Sequence, residues 1–133
     1  MKVVNVSGKR KRAIARASIR QGTGKIRVNH RLINTDSQSM YRLKMCEPLA
    51  IAGDIANKVD IDINVNGGGI SSQAEVSRLV IAKCLVGYTK NDKLKETFLS
   101  YDRNLLVADI RRKEPAKPNR HGQARAKRQK SYR

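Results

Sequence analysis

The sequence has few of the residues that build metal, redox and catalytic sites. None of its 133 residues is Trp, and its two cysteines, Cys46 and Cys84, lack the spaced partners of a zinc site or a disulfide framework. Both are predicted to be buried thiols in a reducing cytoplasm. His30 and His121 have no Ser, Cys or carboxylate arrangement that would make either a catalytic base. The sequence therefore predicts no catalytic residues, no metal and no cofactor.

Long apolar runs and, over much of the chain, acidic residues are also missing. No uninterrupted apolar run exceeds four residues, so we expect neither a membrane span nor a signal peptide. No acid precedes Asp36. Ten Lys or Arg lie within residues 1–35, nine basic and ten acidic residues within 36–110, and ten basic residues and one acid within 111–133. The net charge of +18 thus lies at the two ends, which implies a nucleic acid as partner rather than a membrane.

Residues 111–133 form the more strongly cationic end. Their only non-polar side chains are three alanines, two prolines and the ring of Tyr132. So little apolar surface cannot offset the entropy lost when the backbone is ordered. We therefore predict a globular domain over residues 1–110, and an extended basic tail over residues 111–133 that is disordered until it binds a polyanion.

Short strands are predicted to carry the basic residues of the N-terminal end. Val3, Val4 and Val6 predict a first strand, which Ser7 and Gly8 close. The next segment alternates between two faces. Its apolar face comprises Ala13, Ala15, Ala17 and Ile19, and its polar face comprises Arg10, Arg12, Arg16, Ser18 and Arg20.

A turn at Gly22 and Gly24 follows, and then the alternation resumes. Ile26 and Val28 take the apolar side, while Lys25, Arg27 and Asn29 take the polar side. This pattern predicts a hairpin of residues 13–20 with residues 25–29. Because like charges on one strand face repel, the guanidinium-lined surface is unfavourable unless a phosphate backbone lies against it.

The middle of the chain contains the predicted core elements. Residues 35–53 have a near-helical apolar spacing, with Asp36 as N-cap, Pro48 as a kink or break and Gly53 as the end. The predicted packing face comprises Met40, Leu43, Cys46 or Glu47, Leu49 and Ala50. Residues 59–66 alternate Val59, Ile61, Ile63 and Val65 with Asp60, Asp62, Asn64 and Asn66, which predicts a strand. We expect its acidic face to be solvent-exposed or paired with basic neighbours.

A glycine-rich junction, residues 67–69, leads into a helix predicted to end at Gly87. Ser72 and Glu75 have the spacing of a capping box, and Arg78 and Lys83 are predicted to point outward. Such a junction can bind an anion through its backbone N–H groups. The sequence favours a tight turn that packs helix against strand, because the junction lacks the Lys-Ser/Thr ending of a Walker loop.

The end of the globular part predicts two further elements and a charged junction. Residues 91–99 predict a short helix, and residues 105–108 can add a closing strand. Asp102 and Asp109 lie among Arg103, Arg111 and Arg112, which indicates a paired junction rather than a catalytic site.

Four blocks of the sequence, taken together, resemble one protein family. They are Gly8-Lys-Arg-Lys-Arg-Ala-Ile-Ala-Arg16, Gly24-Lys-Ile-Arg-Val-Asn29, Gly67-Gly-Gly69 with Gln73-Ala-Glu75, and Gln129-Lys-Ser-Tyr-Arg133. They resemble the universal ribosomal protein nine of the small subunit, in its archaeal form. The resemblance implies an α+β two-layer sandwich with a roughly four-stranded mixed sheet and helices on one face. This fold is similar to domain 2 of ribosomal protein five and would precede an extended basic tail.

The same resemblance implies a structural role in the cytoplasmic ribosome. The body would bind small-subunit rRNA beside neighbouring proteins of the subunit head, and the tail would approach the peptidyl-site tRNA. The expected rRNA-binding residues are Lys9, Arg10, Lys11, Arg12, Arg16, Arg20, Lys25, Arg27, Arg31, Arg111, Arg112, Lys113, Lys117, Arg120, Arg125, Lys127 and Arg128. The expected tRNA-proximal residues are Lys130, Ser131, Tyr132 and Arg133. Two alternatives are a kinase-like nucleotide binder at residues 67–72 and a free-standing nucleic-acid chaperone.

Overall fold

The computed structural model describes residues 1–35, 39–116 and 118. The strands are β1 (Val4–Arg10), β2 (Ala13–Gln21), β3 (Ile26–Val28), β4 (Arg31–Leu32) and β5 (Val59–Asn66). The α-helices are α1 (Ser39–Ala52), α2 (Ile70–Thr89) and α3 (Asp92–Tyr101), and short 3-10 helices span Ile33–Thr35, Gly53–Lys58 and Arg103–Leu105. The strands form one mixed sheet in the order β1-β2-β5-β3-β4. The α+β prediction is confirmed, with five strands in the described residues where about four were expected.

β5 lies at the centre of this sheet, between β2 and β3. It pairs antiparallel with β2 and parallel with β3. The predicted hairpin of residues 13–20 with 25–29 is therefore wrong. The turn at Gly22 and Gly24 instead crosses the start of β5, where the two glycine N–H groups donate to the carbonyls of Lys58 and Val59 at 3.0 and 3.1 Å. β5 buries the apolar half of its alternating side chains while both backbone edges are paired.

The hairpin that forms instead joins β1 and β2 through Lys11 and Arg12. β1 continues through Ser7 and Gly8, which were expected to close it, because both residues pair with β2. β2 follows the predicted alternation along its length, with Ala13, Ala15, Ala17 and Ile19 buried. The basic residues on its other face are thereby held at the surface.

α2 lies across β1, β2 and β5 and provides much of the core. Val76, Val80 and Ile81 of this helix are fully buried. The helix continues past Gly87, its predicted end, and stops at Lys90, which has a left-handed φ of 52°. The predicted capping box does not form, since the N-cap is Gly69 and no side chain caps the helix. Helix α2 begins before Ser72, so Ser72 is already within the first turn.

α1 packs against α2 through a face that only partly matches the predicted one, since Cys46 and Leu49 of the predicted face do pack against the core. Met45, Pro48 and Ala52 are buried, whereas Met40 and Leu43 are 75% and 65% exposed. Apolar residues occupy almost every position from 45 to 52, so their spacing alone does not select one face. Pro48 lies inside the helix without ending it, and the helix ends before Gly53 as predicted. The predicted N-cap, Asp36, lies outside the described residues.

The segment after α3 does not join the sheet. α3 confirms the predicted short helix and is capped by the Asn91 side chain, which accepts from the Lys93 N–H. Leu105 is fully buried and Leu106 also packs against the core, so the two residues do not alternate as a strand would. The predicted closing strand at 105–108 is therefore wrong. Residues 106–116 form neither helix nor strand.

Both cysteines are free thiols, and the predicted burial is confirmed for Cys84 but not for Cys46. Cys84 is fully buried, and this burial raises the pKa of its thiol to about 12. Cys46 is only partly buried. Burial raises the pKa of the Cys46 thiol, while the charge of Arg42 acts in the opposite direction. Both thiols are therefore predominantly protonated near neutral pH.

Candidate nucleic-acid interface

One face of the sheet is exposed, and we call it the open face. Arg16, Ser18 and Arg20 of β2 point to it, because the alternate residues of this strand are buried. The strand register brings Asn64 beside Arg16, and brings Asp62 between Ser18 and Arg27. The open face is defined here by six residues, Arg16, Ser18, Arg20, Arg27, Asp62 and Asn64. The predicted guanidinium-lined surface is thus confirmed for Arg16, Arg20 and Arg27.

Asp62 lies between two of the arginines of the open face. Its carboxylate is 3.3 Å from Nη2 of Arg20 and 3.4 Å from Nη1 of Arg27. The expected pairing of the acidic strand face with basic neighbours is confirmed here. The three side chains are between 36% and 46% exposed, so water weakens both ion pairs. Phosphate oxygens could therefore take the place of Asp62 at either guanidinium at little cost.

Asp60 has a different role on the same strand. Its Oδ1 accepts hydrogen bonds from the N–H groups of Thr23 and Lys25 at 2.8 and 2.9 Å. The bond from Lys25, followed by that from Thr23, lowers the pKa of the Asp60 carboxyl. Asp60 therefore fixes the connection between β2 and β3, which sets the position of Arg27.

A concave site of about 530 Å³ lies on the open face. Its lining adds His30 and Ile63 to Arg16, Ser18, Arg27, Asp62 and Asn64. His30 and the preceding Asn29 both have positive φ, of 68° and 49°. The Asn29 side chain bonds to the backbone N–H and carbonyl of Val65, which holds this turn beside β5. Sequence reasoning missed His30 at this site, because only the packing of the turn against β5 brings it there.

A second concave site, which we call the basic cleft, lies where the tip of the β1–β2 hairpin meets the start of α2 and the first residues after 110. Its volume is about 1060 Å³. It is lined by Lys9, Arg10, Lys11, Arg12, Ile14, Gly68, Gly69, Ser72, Arg111, Arg112, Lys113, Glu114, Pro115 and Ala116. The cleft therefore combines two groups of predicted RNA-binding residues that are a hundred positions apart in the sequence.

The glycine junction explains how the hairpin tip comes so close to α2. Gly67 and Gly68 have φ of 78° and 67°, which favours glycine at both positions. A Cβ on Gly67 would lie 2.6 Å from the carbonyl oxygen of Arg12, and one on Gly68 would lie 3.0 Å from Ala13. The predicted tight turn that packs this junction is confirmed. It also brings the start of α2 beside the cationic hairpin tip.

Arg10 lies on the helix-covered side of the sheet and not on the predicted basic outer face. Its Nε donates to Glu75 at 2.6 Å and its Nη1 donates to Asp109 at 2.8 Å, and its side chain is 15% exposed. The prediction failed because residues 11 and 12 form a turn, so the strand alternation does not run continuously from residue 9 to residue 20. Arg10 belongs to β1, where its partners are carboxylates of the same chain.

Arg78 was also expected to point outward and does not. Its guanidinium bonds to Glu47 of α1 and to Asp102 after α3, at 2.6 and 3.1 Å. The side chain is 13% exposed. Asp102 is thus paired, as predicted, but with Arg78 instead of Arg103. Asp109 pairs with Arg10 and Arg111, and hydrogen bonds from Arg111 are the main cause that lowers the pKa of the Asp109 carboxyl.

The remaining predicted binding residues fall into three groups. Lys9, Lys11, Arg12, Arg111, Arg112 and Lys113 line the basic cleft. Lys25 precedes β3 and Arg31 lies on the edge strand β4, and both residues are exposed. Lys117, Arg120, Arg125, Lys127, Arg128, Lys130, Ser131, Tyr132 and Arg133 lie outside the described residues.

Residues 1–35, 39–116 and 118 contain neither a cluster of metal-ligating side chains nor a membrane-spanning helix. No group of three or more His, Cys, Asp or Glu side chains there could hold a metal ion. In the same residues, no helix has the length and apolar character needed to cross a membrane.

Comparison with known proteins gives a consistent assignment. The family described as ribosomal protein S9/S16 matches residues 8–133. The small ribosomal subunit protein uS9 of Methanococcus maripaludis strain C7 is 48% identical over 134 aligned positions, which cover all of both chains. The protein of the same name from Methanococcus vannielii is 46% identical, again over the full length of both. The chain therefore belongs to the S9/S16 family of ribosomal proteins and is of the archaeal type.

Proposed function

We propose that this chain is a structural, non-catalytic component of the small ribosomal subunit that binds small-subunit rRNA through the open face and the basic cleft. Membership of the family supports the ribosomal role and a location in the cytoplasmic ribosome. The observation that carries the proposed interface is the charge of the basic cleft. Lys9, Lys11, Arg12 and Lys113 line it, and none of the four forms an ion pair with a described residue.

Backbone phosphates are the part of RNA that these side chains fit. Phosphate contacts hold a protein in position without reading the base sequence. Each arginine of the open face can bridge phosphate oxygens with its planar guanidinium. Since helices cover the opposite face of the sheet, the rRNA would lie against the open face, and neighbouring proteins of the subunit head would contact the remaining surface.

We further propose that the tail, residues 111–133, extends through RNA toward the peptidyl-site tRNA. The ion pairs of Asp109 with Arg10 and Arg111 support this role, because they fasten the start of the tail to the body. The last four residues, Lys130–Arg133, would then approach the tRNA, and Lys130 and Arg133 would neutralise phosphates of its backbone.

Salt dependence tests the rRNA interface. The full-length chain should bind small-subunit rRNA with an affinity that falls steeply as salt rises, because each neutralised phosphate contributes about −0.7 to −0.9 to the log–log slope. About eight contacts would give a slope near −6 to −7. Filter binding from low to high potassium chloride measures it. A slope near zero, or no binding, would contradict the proposal.

A short deletion tests the role of the tail. Small subunits that carry the chain without Lys130–Arg133 should assemble normally but release peptidyl-site tRNA faster. The matched control is Ser131→Ala, which changes a residue of the same segment and keeps both charges. Unchanged tRNA retention after the deletion would reject the tRNA contact and leave the rRNA interface standing.

A further inference from the structure

We propose that the N-terminus of α2, together with Ser72, forms a binding site for one backbone phosphate of the RNA within the basic cleft. This inference rests on the proposed function, because it takes RNA as the partner of the cleft. It adds which groups hold a phosphate there, and it gives uncharged residues, absent from the predicted binding set, a direct part in binding.

The first turn of α2 has hydrogen-bond donors that the described chain does not use. The first helical bond is donated by the Gln73 N–H to the Gly69 carbonyl at 2.9 Å. The N–H groups of Ile70, Ser71 and Ser72 precede it, and no described residue accepts from them. In a helix of 20 residues these donors lie at the positive end of the helix dipole. They are suited to an anion that carries several acceptor oxygens.

The Ser72 hydroxyl is an independent indication of a ligand. Ser72 lines the cleft but is only 8% exposed, and its hydroxyl makes no hydrogen bond to a described residue. Ser77, the other buried serine of α2, donates to the Gln73 carbonyl at 2.7 Å. A buried hydroxyl without a partner is unfavourable. A phosphate oxygen bound in the cleft would accept the missing hydrogen bond.

Gly69 also supports this site, because neither its backbone conformation nor its packing requires glycine. Its φ of −98° is open to any residue, and an added Cβ would meet no atom within 4 Å. In contrast to Gly67 and Gly68, neither its conformation nor its packing against the described chain requires glycine. Because Gly69 lines the cleft beside the free N–H groups, a methyl group there would reduce the room for a phosphate.

The cleft also has the charge that such a ligand requires. Lys9, Lys11, Arg12 and Lys113 line it, whereas Glu114 is the one acidic residue among its described lining residues. A volume of about 1060 Å³ exceeds what one phosphate group fills, which suits a stretch of RNA backbone. A free nucleotide would present the same phosphate chemistry, so the experiment must separate the two sources.

The test compares uncharged variants of the full-length chain. Gly69→Ala and Ser72→Ala should each weaken binding to small-subunit rRNA about three- to tenfold, as expected for one lost or blocked hydrogen-bonding group. Gly87→Ala and Ser77→Ala are the matched controls on the same helix and should bind as the wild type. The log–log salt slope should stay unchanged in all four, whereas Lys113→Gln should reduce its magnitude by about 0.7–0.9.

The backbone amide resonances of Ile70, Ser71 and Ser72 identify the ligand. A short oligoribonucleotide should shift them in the wild type and shift them less in Ser72→Ala. Wild-type rRNA affinity in both Gly69→Ala and Ser72→Ala would overturn the phosphate site while the proposed function survives. Failure of the wild type to bind rRNA at all would overturn both. Saturation of these amides by ATP, with no response to the oligoribonucleotide, would overturn RNA as the source of the phosphate.

Discussion

Arginines on the two sides of the sheet have different partners. On the helix-covered side, Arg10 and Arg78 are 15% and 13% exposed, and each bonds to two carboxylates of the chain. On the open face, Arg20 and Arg27 are 46% and 36% exposed and share the single carboxylate of Asp62. Arg16, also on the open face, has no ion pair with a described residue. The two mostly buried arginines thus each have two carboxylate partners, whereas the three more exposed arginines of the open face have one among them.

The 29 basic residues of the chain therefore include some that stabilise the fold and others that remain available to bind a polyanion. Glu47, Glu75, Asp102 and Asp109 all serve the helix-covered side, where they join α1, α2 and the segment after α3. Few acids are left to neutralise the open face and the basic cleft. Arginine therefore stabilises the fold on the helix-covered side of the sheet and remains available to bind a polyanion on the open face.

The largest expected effect is the loss of stability when Arg78, on the helix-covered side, is replaced. Arg78→Met leaves Glu47 and Asp102, which are each 35% exposed, without their largely buried partner. It should therefore lower the free energy of unfolding by about 2 kcal/mol. The matched variant Arg16→Met on the open face should change it by less than about 0.5 kcal/mol. Urea denaturation of both, compared at constant m-value, measures the difference. Equal losses would show that burial does not distinguish these arginines.

For RNA binding we expect the opposite order: replacing an arginine of the open face should weaken binding more than replacing one of the helix-covered side. The effect should be about half as large in free energy as the loss of stability. Arg16→Gln should weaken binding to small-subunit rRNA about fivefold near physiological salt and remove roughly one phosphate contact from the salt slope. Arg10→Gln should leave that slope unchanged, because its guanidinium is already bound to Glu75 and Asp109. Filter binding over a range of salt concentrations tests this ranking. If Arg10→Gln reduced the slope instead, Arg10 would be a phosphate contact of the interface.

The smallest expected effect is on the acid stability that Glu75 contributes on the helix-covered side. Burial tends to raise the pKa of Glu75, but hydrogen bonds from Arg10 and Lys44 outweigh it, so the folded-state pKa lies below the usual 4.5. A carboxyl with a depressed pKa stabilises the fold above its unfolded-state pKa and loses this contribution as the pH falls through its folded-state pKa. Below about pH 4.5, Glu75→Gln should therefore show a shallower loss of stability than the wild type, by less than about 1 kcal/mol.

Glu96→Gln is the control for this measurement. Glu96 is exposed on α3 and forms no ion pair with a described residue, so the variant should keep the acid dependence of the wild type. Thermal unfolding of the three proteins between pH 3 and pH 6 gives the comparison. Identical curves for Glu75→Gln and the wild type would show that the ion pair with Arg10 does not contribute to acid stability.

Local patterns predicted much of the fold because they report on burial directly. β2 and β5 lie where period-two alternation indicated, and α1, α2 and α3 lie where apolar spacing indicated, although α2 continues past Gly87, its predicted end. The failures came from pairing and packing over long distances. The order of the strands depends on β5, which begins only at Val59 yet lies between β2 and β3 in the sheet, and no local pattern shows this.

The candidate site, like the fold, could be predicted from the sequence only in part. Composition and alternation predicted the exposed arginines of the open face, and the surplus of basic over acidic residues at both ends predicted a polyanionic partner. They did not predict His30 on the open face, because it has no local signal that separates it from an ordinary turn residue. The sequence marked residues 67–72 only as a possible nucleotide site, and it did not predict that Ser72 lies in a cleft with the cationic hairpin tip. Lys117 and the predicted binding residues after it lie outside the described residues, so their roles stay predictions.

The sequence by itself determined the charge of the two ends, the strand alternation and the family, since each is a property of neighbouring residues or of the ordered blocks. Only the tertiary structure decided which basic residues are free. Arg10 meets Glu75, 65 positions away, and Asp109, 99 positions away, and the hairpin tip meets the start of α2 through Gly67 and Gly68. Such contacts depend on the register of β1 and on the packing of α2 across the sheet. Neither can be deduced from local periodicity, because the period of a strand or helix is the same whichever element packs against it.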